Sequence, residues 1–295
     1  MRSDDDSWEI TESVGATALG VAAMRAAETR RDDALFRDPY AERLVRATGN
    51  DGWARMLDGD FARRRQELGR PGVGNGGFLV GRTVYFDEYF AAASAAGLRQ
   101  VVILAAGLDA RAYRLEWPSG TVLFELDQPK VLAFKAEALA GVQPAADRHE
   151  VAVDLRHDWP QALRDNGFDP TVPTAWLAEG LLRYLPADAL DRLFENIEAL
   201  SAPGSRLATS TGQGLPRLPE SERAGRAALL AEVGIQLDVD SLWYAEEGRS
   251  DPVEWFAGHG WTVSSTGLAE VLTAHGRPTP ADETYRHTLL TAIRG

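Results

Sequence analysis

The chain has 295 residues, of which 44% are hydrophobic and 25% charged, and its 44 acidic against 31 basic residues give a net charge of −13. That length supports one large domain with additions or two small ones, and the acid excess speaks against binding to nucleic-acid phosphates or to anionic membranes. There is no cysteine, which excludes disulfides, thiolate nucleophiles and cysteine metal sites.

The start, MRSDDDSWEI, is acidic, lacks an apolar core of the secretory type, and is expected to be disordered over residues 1–7. No apolar run approaches the roughly 18–20 residues a membrane helix needs, so a cytoplasmic protein is expected. From Thr11 to about Leu68 the pattern is helical, first Ala-rich at 16–28, then over Tyr40 to Ala47, then charged through Arg63, Arg64 and Arg65, which read as a solvated face. Gly69 to Gly77 reads as a loop, and 78–96 as a helix stopped by Gly97. Strand-like runs follow at Val101–Leu104, Thr121–Leu126, Glu150–Val153, Thr174–Ala178, Arg206–Ser210, Trp261–Thr266 and His287–Ile293. Helices are expected between them: 129–140 and 186–200, each opened by proline, then 252–257 and 268–275. The 186–200 segment places Leu190, Leu193, Phe194, Ile197 and Leu200 on one stripe. Such alternation predicts an α/β fold, a mostly parallel sheet with helices on both faces. Residues 212–250 interrupt it with an expected helix at 220–234 and the pair Trp243-Tyr244, read as a cap over a substrate.

In open α/β sheets ligands sit beyond the carboxyl ends of the strands. After the first strand comes Ala105-Ala106-Gly107 and then Asp109; the second ends in Glu125 and Asp127; the third leads into Asp154 and Leu155; the fourth into Glu179; the fifth into Thr209, Ser210 and Thr211. A small-residue turn exposes bare backbone, and an acid closing the next strand can accept hydrogen bonds from two ribose hydroxyls. Asp127 has a second reading as a helix cap, since Pro129 follows. A rim of carboxylates suits a ligand with ribose hydroxyls, an amine and a positive centre, which S-adenosylmethionine has. It suits a polyphosphate badly, and the sequence has no phosphate-cradling GxxxxGK[ST] loop. NAD is the alternative, disfavoured because Ala105 and Ala110 stand where its fingerprint has glycine.

The motifs SVGATAL (13–19), DPYAERL (38–44), ILAAGLDARAYRL (103–115), FELDQPKVLAFK (124–135), VDLRHDW (153–159) and AEGLLRYLP (178–186) resemble those of the leucine carboxyl methyltransferase family, nearest its actinobacterial branch of S-adenosylmethionine-dependent methyltransferases. The likeness runs from about Ser7 to the C-terminus. It implies the class I methyltransferase (Rossmann-like) fold: seven strands with the last antiparallel, an N-terminal helical cap over 1–97, and a cofactor domain over 98–295 carrying the lid insertion 212–250. It also implies the cofactor contacts. Arg82 would meet the methionine carboxylate, Gly107 would form the turn, and Asp127 would bind the ribose. Asp154 and Leu155 would flank the adenine, and Glu179 would lie near the methionine end. Of a further N-terminal basic contact, Arg25 and Arg30 are equal candidates.

Methyl transfer from a sulfonium needs alignment and exclusion of water above all. A carboxylate acceptor is ionised at neutral pH and needs no base; Arg183 and Tyr184 would orient it. A hydroxyl acceptor wants a base, and His157 is the nearest candidate, with His259 and His275 more distant. Arg111 and Arg114 are read as partners of neighbouring acids. The reading is therefore an O-methyltransferase acting on a carboxylate or hydroxyl of a small molecule, polyketide-like acceptors included, with no nucleic-acid or membrane partner. An NAD-dependent oxidoreductase or a non-catalytic cofactor-binding protein stands as the alternative.

Overall fold

A computed structural model of the chain describes residues 10–60, 63, 67, 76–211, 220–277 and 287–295. The described part of the helical N-terminal stretch includes α1 (Ser13–Thr29), α2 (Ala41–Arg46) and α3 (Asp51–Leu57), and the long α4 (Gly76–Ala95) follows. The break between α2 and α3 is set by Asn50, whose side chain accepts from the Gly52 and Trp53 N–H groups and so caps α3. Arg64 and Arg65, most of the 69–77 glycine run, residues 1–7 and the first part of the 212–250 insertion lie outside the described residues. Arg63 is exposed and pairs with Asp60, as a solvated face would.

The rest alternates. In order come β1 (Gln100–Leu104), α5 (Arg111–Arg114), β2 (Val122–Asp127), α6 (Pro129–Ala138), β3 (Asp147–Ala152), α7 (Trp159–Asp165), β4 (Thr174–Ala178), α8 (Ala187–Ala199) and β5 (Arg206–Thr211). Then follow α9 (Glu220–Glu232), α10 (Pro252–Gly258), β6 (Trp261–Gly267), α11 (Leu268–Ala274) and β7 (Thr288–Arg294). The strands form one seven-stranded sheet in the order β3-β2-β1-β4-β5-β7-β6. β1 to β5 are parallel, and β7 inserts antiparallel between β5 and β6, with Thr211 opposite Thr288. The expected antiparallel last strand is therefore present.

β3 begins earlier than the sequence suggested, at Asp147. Its polar start, Asp147-Arg148-His149, pairs with Val122 to Phe124 at a sheet edge, where alternation of apolar residues is not demanded. The central strands β1 and β4 are buried at every position, as a parallel sheet covered on both faces requires. On one face α8 delivers the predicted stripe, with Leu190, Leu193, Phe194 and Ile197 all buried. On the other, α1 to α4 share a single apolar core with the sheet residues Val101, Ile103, Leu123 and Leu177. The order reverses between β1 and β4, so the crevice at their carboxyl ends is where this architecture binds ligands.

Candidate active site

The turn after β1 is built on two left-handed residues, Ala105 (φ 51°) and Gly107 (φ 49°). Ala106 extends the ladder by donating to Leu126 O at 2.9 Å, and Asp109 N closes the turn onto Ala106 O at 2.8 Å. That geometry aims the Gly107 N–H at Asp127 Oδ2, 2.6 Å away. The other carboxylate oxygen of Asp127 accepts from Gln128 N at 2.7 Å. Asp127 does not cap α6, whose N-terminus carries no side-chain cap. Burial pushes its carboxyl up to about 6, against the pull of the two backbone N–H groups. A side chain at Gly107 would meet Ala18 of α1 at 3.4 Å, so the N-terminal helix roofs the turn closely.

Glu125 is placed differently from expectation. It shares a face with Asp127, but two residues back along the strand it lies about 7 Å deeper in the sheet. There it is fully buried, and its Oε2 accepts from Lys135 Nζ and Arg148 Nε, both at 2.8 Å. It belongs to the core rather than to the rim.

Gln128 bridges two rim acids, because its side-chain Nε2 donates to Asp154 Oδ2 at 3.0 Å. Burial opposes ionisation of Asp154, but the Arg156 guanidinium and backbone N–H hold its pKa below the ordinary value. Leu155 beside it packs on the α8 face of the core.

At the β4 end, Arg111 is a hub. It is 3% exposed, and its guanidinium reaches Asp87 Oδ1 (2.7 Å), Asp109 and Glu179 Oε2 (2.7 Å). Glu179 Oε1 accepts from Arg82 Nε at 2.8 Å. Burial of Glu179 is outweighed by Arg111 and Arg82, so its pKa is lowered. Asp109, buried but facing Arg111, Lys135 and Arg25, is lowered to about 2. Arg114 pairs with both oxygens of Asp87 at 2.7 Å. The expected pairing of Arg111 and Arg114 with acids is present.

The N-terminal arginines separate. Arg25 is buried, donates to Leu108 O at 2.6 Å and pairs with Asp38 at 2.8 Å, which ties α1 to the glycine turn. Arg30 turns away to Glu42 and the Leu57 carbonyl.

Arg183 and Tyr184 sit on a 3-10 turn, Leu182–Tyr184. The Arg183 guanidinium stacks 3.9 Å from the Trp243 ring centroid and pairs with Glu246 at 2.9 Å, and its carbonyl accepts from Tyr244 N. The insertion thus rests on Arg183, and a small cleft opens between Arg183, Thr211, Tyr244 and Arg249. Thr209 is committed elsewhere, its hydroxyl bonded to Ala178 O at 2.8 Å.

Of the five histidines, His157 is exposed on the loop after Asp154. His259 stacks on Trp255 and His275 pairs with Glu88 at 2.9 Å; neither residue stands at the rim. The histidine that does stand there is His287, which sequence reasoning passed over. It directly precedes β7, which runs antiparallel, and so arrives at the carboxyl end of β5. Its ring lies 4.2 Å from Phe78, whose own ring lies 5.1 Å from the Arg82 guanidinium carbon. Burial and the charges of Arg183 and Arg82 lower its pKa to about 4.

A model of the leucine carboxyl methyltransferase family matches residues 18–198. A Mycobacteroides abscessus protein described as an S-adenosyl-L-methionine-dependent methyltransferase is 54% identical over 289 residues, covering 96% of this chain and 95% of its own. A Mycobacterium marinum protein of the same description is 52% identical, over 99% and 95%. Two crystal structures share the fold at low identity. One, from Thermobifida fusca and described as a methyltransferase, has a TM-score of 0.55 at 16% identity, over 97% of this chain and 96% of that one. The other, a DUF574 family protein from Streptomyces avermitilis, has 0.51 at 15%, over 97% and 99%. With more than half its length under the family model and relatives above 50% identity along nearly all of it, the chain belongs to the leucine carboxyl methyltransferase family.

Proposed function

We propose that this protein is an S-adenosylmethionine-dependent O-methyltransferase acting on an oxygen of a small-molecule acceptor. The broader statement, a methyltransferase using S-adenosylmethionine, rests on family membership and on the relatives that carry that description along the full chain. The observation that carries the cofactor reading is the Gly107–Asp127 pair: a side-chain-free turn N–H donating to a carboxylate that burial holds above its ordinary pKa, at the end of the second strand. Two ribose hydroxyls donating to that carboxylate would supply what burial withholds.

The cofactor would supply an electrophilic methyl group on a sulfonium. The chain's residues do the rest. Asp127 holds the ribose, Asp154 and Leu155 border the adenine, and Arg82 with Glu179 receives the amino-acid end. The helices over 1–97 close the cofactor from solvent, and the 212–250 insertion lies over the acceptor as a lid. Arg183, which lines the cleft beside Thr211, and Tyr184, next to it on the same 3-10 turn, orient the acceptor, and exclusion of water favours the in-line geometry. Nucleic acid and membrane are not partners in this reading. Among the described residues no helix is long and apolar enough to cross a membrane.

Calorimetry with S-adenosylmethionine, S-adenosylhomocysteine and NAD tests the reading. Micromolar binding of the first two and none of NAD is expected. Binding of NAD alone would make the chain an oxidoreductase, and cofactor binding with no turnover on any oxygen acceptor would leave a binding protein.

A further inference from the structure

We propose that Asp87 is a positioning residue for the amino-acid end of the cofactor, acting through Arg111 on Glu179. This rests on the methyltransferase reading above, in which Arg82 and Glu179 receive that end. Asp87 lies on α4, on the same helix as Arg82, and its carboxylate bonds to two arginines of α5. Its Oδ1 accepts from Arg111 Nε and Arg114 Nη2, and its Oδ2 from Arg114 Nη1, all at 2.7 Å. Arg111 and Arg114 begin and end a helix of only 4 residues, too short to hold its own place. Such a spacing puts both on one helix face, and Asp87 ties that face to α4. The two arginine side chains are 3% and 4% exposed, so these ion pairs form away from water, where charges act strongly.

What Asp87 controls is how Arg111 divides its charge. A guanidinium is a flat fork whose donors move together. Asp87 fixes the Nε edge, and Nη1 is then shared between Asp109 and Glu179 Oε2, the latter at 2.7 Å. Arg82 Nε takes the other oxygen, Glu179 Oε1, at 2.8 Å. Arg82, Arg111 and Arg114 thus meet Asp87, Asp109 and Glu179, and the charges of this cluster cancel. In that balance Arg111 belongs to several carboxylates and neutralises Glu179 only in part. An ammonium group, which brings a full charge of its own, draws on the part that remains.

An amide at position 87 would leave Arg111 with one carboxylate fewer. Arg111 would turn more fully on Glu179, and an ammonium would find less charge there. The ribose end does not depend on Asp87. Asp127 is held by the Gly107 and Gln128 N–H groups, and the turn by the backbone bonds of Ala106 and Asp109. Loss of the Asp87 charge therefore separates the two ends of the cofactor.

Calorimetry on Asp87→Asn with two ligands tests this. One is S-adenosylhomocysteine; the other is methylthioadenosine, which keeps the adenine, ribose and sulfur and lacks the amino-acid end. S-adenosylhomocysteine should bind about tenfold more weakly, or about 1.4 kcal/mol, and methylthioadenosine should stay within about twofold of the wild type. Glu179→Gln should show the same selectivity, and adding Asp87→Asn to it should cost less than about threefold more, because the two substitutions then act on one path. Equal weakening of both ligands would make Asp87 a support of the fold alone. That result, an unchanged affinity for S-adenosylhomocysteine, or a full second loss in the double variant overturns the proposal. Should Asp87→Asn fail to fold, Asp87→Glu keeps the charge and displaces it by one methylene; a selective loss for S-adenosylhomocysteine is expected there too, and its absence overturns the proposal. Failure of S-adenosylhomocysteine to bind the wild-type protein would instead sink the methyltransferase reading itself.

Discussion

Asp127 gives the sharpest prediction, because its ionisation and cofactor binding draw on the same two oxygens. In the unliganded protein burial raises its pKa to about 6, above the ordinary aspartate value of about 3.9. Folding therefore favours the protonated form; that stabilisation is complete below the ordinary value and is lost as pH rises through about 6. A ligand that donates to the carboxylate has the opposite preference and binds the ionised form. Nearly all of a carboxyl with a pKa near 6 is ionised at pH 8 and about one-tenth at pH 5, so affinity for S-adenosylhomocysteine should fall about tenfold between them. Asp109 and His287, at about 2 and about 4, titrate below that window. Asp127→Asn should weaken binding by roughly 10- to 100-fold at pH 8, since the amide oxygen can still accept one hydroxyl while the bond lost from the charged acceptor contributes about 1.5–3 kcal/mol. It should also flatten the profile, because the amide cannot titrate. Isothermal titration calorimetry at pH 5, 6, 7 and 8, with circular dichroism to confirm the fold, measures both. A wild-type affinity that is flat from pH 8 to 5, or a profile unchanged by Asp127→Asn, refutes the assignment of the ribose to Asp127.

Three further outcomes test the packing around the site. Ala105 holds a left-handed backbone at φ 51°, so Ala105→Gly should stabilise the fold by about 0.5–1 kcal/mol, the relief of the left-handed penalty less glycine's extra entropy; urea unfolding checks this. Lys135→Met removes one of the two cations on buried Glu125 and should destabilise by about 3 kcal/mol, with much of the loss recovered in Lys135→Met/Glu125→Gln. A double-mutant cycle without recovery would show that the pair is not coupled. A methyl group at Gly52 would lie 2.8 Å from Gly234 O, where α3 meets the loop after α9. Gly52→Ala should therefore cost about 1–3 kcal/mol and increase proteolysis of the 212–250 insertion before the rest of the chain.

The strand-turn-acid spacing made Gly107 and Asp127 legible, because strand period and turn length are local properties and place both groups at one edge whatever surrounds them. The same logic misplaced Glu125. Alternation tells which face a residue occupies but not its depth along the strand, and two positions of depth separate a rim acid from a core ion pair. Arg111 was legible as an acid's partner but not as a hub, since Asp87, Asp109 and Glu179 come from three elements that only the folded sheet brings together. His287 carried no local signal at all. It follows a segment without motif, and its place at the rim comes from β7 running backwards beside β5. Arg25 and Arg30, five residues apart on or just past one helix, could be told apart only by which of them met Leu108 O.

The folded structure also ranks the rim acids, which the sequence presented as equals. Asp109 and Glu179 have their charges already met by arginine, and Asp154 has its charge met by Arg156. Their lowered pKa values record interactions complete without a ligand. Asp127 alone among them is raised, with two backbone N–H donors and, among the described residues, no cation bonded to it. A carboxylate whose charge is already neutralised gains little from a new donor, whereas one held above its ordinary pKa gains the full value of each new hydrogen bond. Binding energy from hydroxyl donors is thus concentrated at Asp127. The arginine-held acids fix the shape of the rim around it, and that division explains how a chain of net charge −13 can present a rim of acids without the rim repelling itself apart.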